Sequence, residues 1–232
     1  MLSLLKKDLK KLSNKKKASV FQRFFKTGEG EYGFGDIFIG LTVPQSRKLA
    51  IKYKDLAFVD ITNLLKSKVH EERLIALLIL VHKFQKEPME QRRIYDFYIK
   101  NIKYVNNLDL VDLSSDKIVG GYLIDKPKDI LLKLASSKNL WERRIAMIAT
   151  YNFIKNNHFK ETLKVSEVLV DDKNDLIQKA LGWMLREIGK RDKEKEIKFL
   201  NKYYKKMGRT ALRYSIEKFP ETLRKKYLLG KI

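Results

Sequence analysis

The apolar residues of this chain recur every three to four positions, and little interrupts them. Residues 70–81 (HEERLIALLILV), 129–135 (DILLKLA), 175–188 (DLIQKALGWMLREI) and 210–219 (TALRYSIEKF) each place apolar side chains at i, i+3, i+4 and i+7, the spacing of a helix with one buried face. Only four prolines and eleven glycines punctuate 232 residues, and no stretch shows sustained polar–apolar alternation between hairpin turns. The pattern predicts an all-α protein. Its 44% hydrophobic residues supply a sizeable core and exclude a disordered chain. The longest apolar run, Leu74 to Val81, is far too short to span a bilayer.

A weaker regularity lies over the helices. Segments beginning near Glu71, Asp109, Glu142, Gln178 and Leu212 each open an apolar-basic helix, and they recur every ~35 residues. Two short helices fill such a period, so one HEAT-like helical-repeat domain over residues 1–232 is expected, with an irregular helical bundle as the alternative. The one clearly irregular stretch is Gly28 to Gly40 (GEGEYGFGDIFIG), whose five glycines permit positive φ and close backbone approach. Pro44 suits the first turn of the helix that follows, with Thr42 near its cap.

Charge bounds the partner. Fifty Lys and Arg against 28 Asp and Glu give a formal net charge of +22, a potential that draws polyanions, of which nucleic acid is the commonest inside a cell. The bland alternative is a set of solvated basic faces. The absence of cysteine excludes disulfides, thiolate catalysis, iron–sulfur clusters and Cys-ligated zinc. His70, His82 and His158 show no ligand spacing and read as structural or solvent-exposed, so neither metal nor cofactor is expected. The N-terminal MLSLLKKDLKKLSNKKK lacks the uninterrupted apolar core of a secretory signal, which points to a cytoplasmic protein with no membrane partner.

Six runs, in order and spread over nearly the whole chain, resemble the AlkD-type DNA alkylation-repair family. They are FFKTGEGEYGFGDIFIGLTVP at 24–44, HEER at 70–73, NNLDLVD at 106–112 with Ile118, Val119 and Gly120, WERR at 141–144, QKALGWMLREIGK at 178–190 and RTALRYSIEKF at 209–219. The resemblance implies a C-shaped HEAT-like solenoid with a basic concave groove for duplex DNA. It also implies a monofunctional glycosylase that removes cationic alkylpurines from duplex DNA without a metal. A monomer with no obligate protein partner is expected.

By the same resemblance Asp112 takes the place of the catalytic carboxylate, Trp183 of a groove aromatic, Arg144 of an arginine facing DNA near the lesion, and Arg186 of a phosphate-backbone contact. Read from the residues alone, Asp109 and Asp112 share a helix face and either could be a helix cap. Trp183, between Leu181 and Met184, reads as core. Tyr32 and Phe34 in the glycine-rich loop could press on DNA or anchor the loop to the first helices. The departure from the family is Leu108, where a tryptophan commonly stands. Leucine fills volume but offers no π-face to a cation. Leu108 therefore keeps open a non-catalytic member that recognises damaged, bent or branched DNA. A solenoid scaffold for an acidic protein or RNA is a third reading.

Overall fold

The computed structural model describes residues 1–232. Every regular element is helical, and the only β-type pairing is an isolated bridge between Ile37 and Val69. The chain forms two compact units, Met1–Val119 and Gly120–Ile232.

The first unit contains α1 (Leu2–Leu12), α2 (Lys15–Phe24), α3 (Val43–Lys52), α4 (Phe58–Leu65), α5 (His70–Lys86), α6 (Gln91–Lys100) and the short α7 (Leu108–Asp112). As expected, Thr42 caps α3: Gln45 Oε1 accepts from its backbone N–H at 2.9 Å and from its hydroxyl at 2.8 Å, and Pro44 sits in the first turn. Every residue from His70 to Val81 is buried. A helix covered on all sides is a central helix, and α3, α4, α6 and α7 pack around α5. A π turn, Asp116–Gly120, follows α7.

The second unit contains α8 (Gly121–Leu123), α9 (Asp129–Ala135), α10 (Leu140–Ala149), α11 (Tyr151–Lys155), α12 (Lys160–Val168), α13 (Asp175–Gly189), α14 (Lys193–Tyr203), α15 (Arg209–Ser215) and α16 (Glu221–Leu228). Here α13 is central, packed by α10, α14 and α15. Its Gly182 permits the close crossing with α15, since a Cβ there would collide with the Ala211 carbonyl oxygen.

Helices beginning at residues 70, 108, 140, 175 and 209 lie within three residues of the starts expected from the sequence. The repetition extends to hydrogen bonds. LLKSKVHEERLI at 64–75 and LASSKNLWERRI at 134–145 share one entry into α5 and α10 respectively. Val69 and Asn139 donate their N–H groups to Ser67 and Ser137 Oγ at 3.0 Å. Arg73 and Arg143 donate back to the Ser67 and Ser137 carbonyls at 2.9 and 3.0 Å. Each arginine also binds a carboxylate, Asp36 or Asp172, at 2.6 and 2.7 Å. These features are consistent with an α-helical repeat fold. No helix is long and apolar enough to cross a membrane.

Candidate functional site

Helix α7 is five residues long and cannot hold itself by propagation. What holds it is a buried polar network reaching from the glycine-rich loop through α5. Asn107 Oδ1 accepts from Leu108 N–H at 2.7 Å, and its amide donates to Asp36 Oδ2 at 2.9 Å. The same oxygen accepts from Arg73 Nη2 at 2.6 Å and lies 3.1 Å from His70 Nδ1. The other imidazole nitrogen, Nε2, is 2.9 and 3.0 Å from the two oxygens of Asp109. Asp109 is therefore the partner of a buried histidine, and the residue capping α7 is Asn107.

An imidazole facing a carboxylate at each nitrogen is held as an imidazolium. Burial and Arg73 oppose that charge on His70, but the Asp109 charge and the hydrogen bonds with Asp109 and Asp36 outweigh them and raise its pKa. Burial likewise disfavours ionised Asp36, yet the His70 hydrogen bond and the Arg73 guanidinium hold its carboxyl below the usual range. Phe38 stacks on the His70 ring at 4.3 Å and Phe25 on Phe38 at 4.9 Å. Glu71 accepts from three successive backbone N–H groups, Ile39, Gly40 and Leu41, at 2.8–3.2 Å. The loop is thus tied to the start of α5 by Asp36, through Glu71, and by the Ile37 bridge, where His70 N–H donates to the Ile37 carbonyl at 2.9 Å.

Asp112 closes α7, half-buried and one turn beyond Asp109; Leu108 opens it, also half-buried. The charge of Asp112 is felt at the fully buried Tyr98, whose hydroxyl lies 3.0 Å from Ser114 Oγ. Tyr32 is half-buried, and its hydroxyl donates to the Phe24 carbonyl at 3.4 Å, which ties the loop to the end of α2. Phe34 is exposed. The first unit therefore brings together Leu108, Asp109 and Asp112 on one short helix.

The other three candidates lie in the second unit. Trp183 on α13 is half-buried and its ring leans on Tyr151, 5.9 Å between centroids. Arg186, one turn on, is ion-paired with Glu217. Arg144 on α10 is 5% exposed and donates to the Leu176 carbonyl at the start of α13.

The sequence of residues 5–219 matches the model of the DNA alkylation repair enzyme family. The chain belongs to that family. A solved structure, a predicted DNA alkylation repair enzyme from Enterococcus faecalis, superimposes with a TM-score of 0.69 at 15% identity, covering 90% of this chain and 97% of that one. That likeness extends to the fold. No curated protein matches the sequence.

In this DNA alkylation repair chain, His70, Asp36 and Asn107 are the site residues that the sequence reading passed over. Lone histidines without ligand spacing carry no motif, and the separation of 34 positions between Asp36 and His70 hides their contact. The available signal was the clustering of buried-type charges in HEER beside an apolar run, since a helix that starts with three charges and then turns wholly apolar must pair them.

Proposed function

We propose that this protein binds alkylated duplex DNA and hydrolyses the N-glycosidic bond of cationic N3- or N7-alkylpurines, with residues 1–232 acting as one helical-repeat domain. Alkylation has already put positive charge on the leaving base, so departure needs little protonation. The groups still required are a negative charge beside the developing oxocarbenium ion and a way to orient water. Asp112 supplies the carboxylate. The observation that carries this reading is its seat on α7, which the Asn107, Asp36 and His70 contacts fix at both cap and first turn, so that the charge is preorganised. Trp183 contributes an aromatic face, and Arg186 exchanges Glu217 for a DNA phosphate.

The test is release of methylated purines from treated duplex DNA by purified protein. Asp112→Asn should keep fold and DNA affinity while lowering release by about a hundredfold or more, the scale of losing one preorganised electrostatic group. Equal, negligible release by both proteins would refute catalysis. Leu108 favours a second reading, in which the protein recognises damaged DNA without cutting it; that reading expects tight, salt-dependent duplex binding with no base release.

A further inference from the structure

Two helix faces of the first unit meet over a cavity of about 220 Å³. Arg47 and Ala50, three positions apart, come from α3, and Leu78, Val81 and His82, at i, i+3 and i+4, come from α5. Lys117, in the π turn after α7, closes a third side. The buried Ala50, Leu78 and Val81 make an apolar floor, and the more exposed Arg47, His82 and Lys117 make a basic rim. No acidic residue lines the cavity.

Elsewhere on the same two helices basic side chains are matched. Lys52 pairs with Asp8 at 2.6 Å and Lys83 with Glu87 at 3.6 Å, whereas neither Arg47 nor His82 has a carboxylate partner. Lys117 is held in place: the buried Asp116 takes its Nζ at 2.7 Å, which leaves two of the three ammonium N–H groups for another acceptor. Basic groups gathered from three elements repel one another until an anion sits between them. Donors arriving from three directions suit a tetrahedral phosphate, whereas a planar carboxylate is served by a fork from one side. The apolar floor does nothing for a free ion, but it receives the carbon edge of a sugar. A phosphate joined to sugars is the backbone of a nucleic acid, and contacts to that backbone set the register of a duplex on a protein.

We infer that the Arg47–His82–Lys117 cavity seats one backbone phosphodiester of bound duplex DNA, with the adjoining deoxyribose on Ala50, Leu78 and Val81. The inference rests on the proposed DNA partner and adds a fixed point on the strand. Only Leu113, Ser114 and Ser115 separate α7, which ends at Asp112, from the π turn that carries Lys117. A strand anchored at Lys117 is therefore registered against the Asp112 carboxylate by one short stretch of chain. Arg47, His82 and Lys117 are positioning residues in this reading, and the imidazole can donate an N–H in either protonation state.

The test compares charge removal at the rim with the same removal beside it, reading the affinity of a short labelled duplex at several salt concentrations. Lys48 and Lys86 are exposed on α3 and α5 and do not line the cavity. Arg47→Gln and Lys117→Gln should each weaken binding about tenfold, the scale of a charge-assisted hydrogen bond, while Lys48→Gln and Lys86→Gln stay within about threefold. Because both rim residues act on one phosphate, the double variant should lose clearly less than the product of the single losses, and its salt slope should fall by about 0.9. Arg47→Gln, at an exposed position, keeps the test valid where Lys117→Gln disturbs folding around Asp116, which circular dichroism checks. Rim losses no larger than those at Lys48 and Lys86, or single losses that simply multiply in a folded double variant, overturn the seat and leave the DNA reading intact. No duplex binding by wild type at low salt overturns both.

Discussion

Glu196 offers the sharpest quantitative test of the second unit. It lies in the first turn of α14, 2% exposed, with its carboxyl packed against Gly189 at the end of α13, where a Cβ would collide with it. Its Oε1 is buried without a hydrogen-bond partner. Burial raises the pKa from 4.5 to about 8, against the smaller lowering effects of Lys193 and Arg186. The folded protein therefore holds a neutral acid at pH 7, whereas the unfolded chain ionises. A carboxyl whose folded pKa exceeds its unfolded value stabilises fully below the unfolded value, and that contribution is lost as pH rises through the folded value. Between pH 4.5 and 8 the loss runs at about 1.4 kcal/mol per pH unit, so about 3 kcal/mol has gone by pH 7. That is a large share of a typical total of roughly 5–15 kcal/mol. Glu196→Gln copies the shape of the neutral acid and removes its titration. Urea unfolding of both proteins at pH 5, 6, 7 and 8 should show the variant gaining on wild type by about 3–4 kcal/mol across the series, then levelling off above pH 8. All other titrations cancel in the difference. A difference that does not grow with pH would refute a neutral Glu196.

His70 should behave in the same sense. Its folded pKa is raised above 6.5, so its stabilising contribution is complete below pH 6.5 and lost as pH rises through the higher folded value. His70→Gln should abolish that dependence in urea melts and cost about 3–5 kcal/mol at pH 6 by leaving Asp36 and Asp109 without their shared cation. Gly40 has φ +88°, and a Cβ there would collide with the Asn14 carbonyl oxygen, whereas Gly30, at φ +76°, has nothing within 4 Å. Gly30→Ala should cost about 1–2 kcal/mol for the left-handed backbone alone, and Gly40→Ala clearly more in the same chemical denaturation assay. Leu108→Trp should raise release of methylated purines by about two- to thirtyfold for each cation–π contact restored, and a folded, DNA-binding variant with unchanged release would show that the aromatic was not what was missing.

Helix periodicity made the all-α fold legible because most elements carry a one-sided apolar stripe, and the starts of α5, α7, α10, α13 and α15 fell close to their expected places. The Thr42 and Pro44 chemistry was local and so was readable. The α7 clamp was not, because its partners come from residues 36, 70, 73, 107 and 109 and no single spacing connects them. The second copy of the serine–arginine entry, at Ser137 and Arg143, was within reach: an offset of 70 residues joins it to Ser67 and Arg73. Part of the entry also recurs at the 35-residue period, where Asn139 and Asn174 donate to Ser137 and Asp172 and cap α10 and α13 in the same way. Arg144, which the family resemblance places near the lesion, is buried with its guanidinium on the Leu176 carbonyl.

The distribution of charge joins fold to partner. Asp36, Glu71, Glu72, Asp116, Glu187 and Glu196 are buried, against Arg73 and Arg144 among the permanent cations, and no lysine is buried. Most of these acids hold structure. Asp36 and Glu71 fasten the loop to α5, and Glu187 binds Lys190 and Arg191 at the end of α13. Withdrawing six of 28 acids but only two of 50 permanent cations from solvent leaves the surface more basic than the formal +22, with nearly all of the positive charge facing water. Long-range attraction of a polyanion depends on the exposed charge and falls with salt, whereas the buried carboxylates are screened little. Ionic strength should therefore weaken duplex binding steeply and leave the α7 clamp, and the orientation of Asp112 that depends on it, almost untouched.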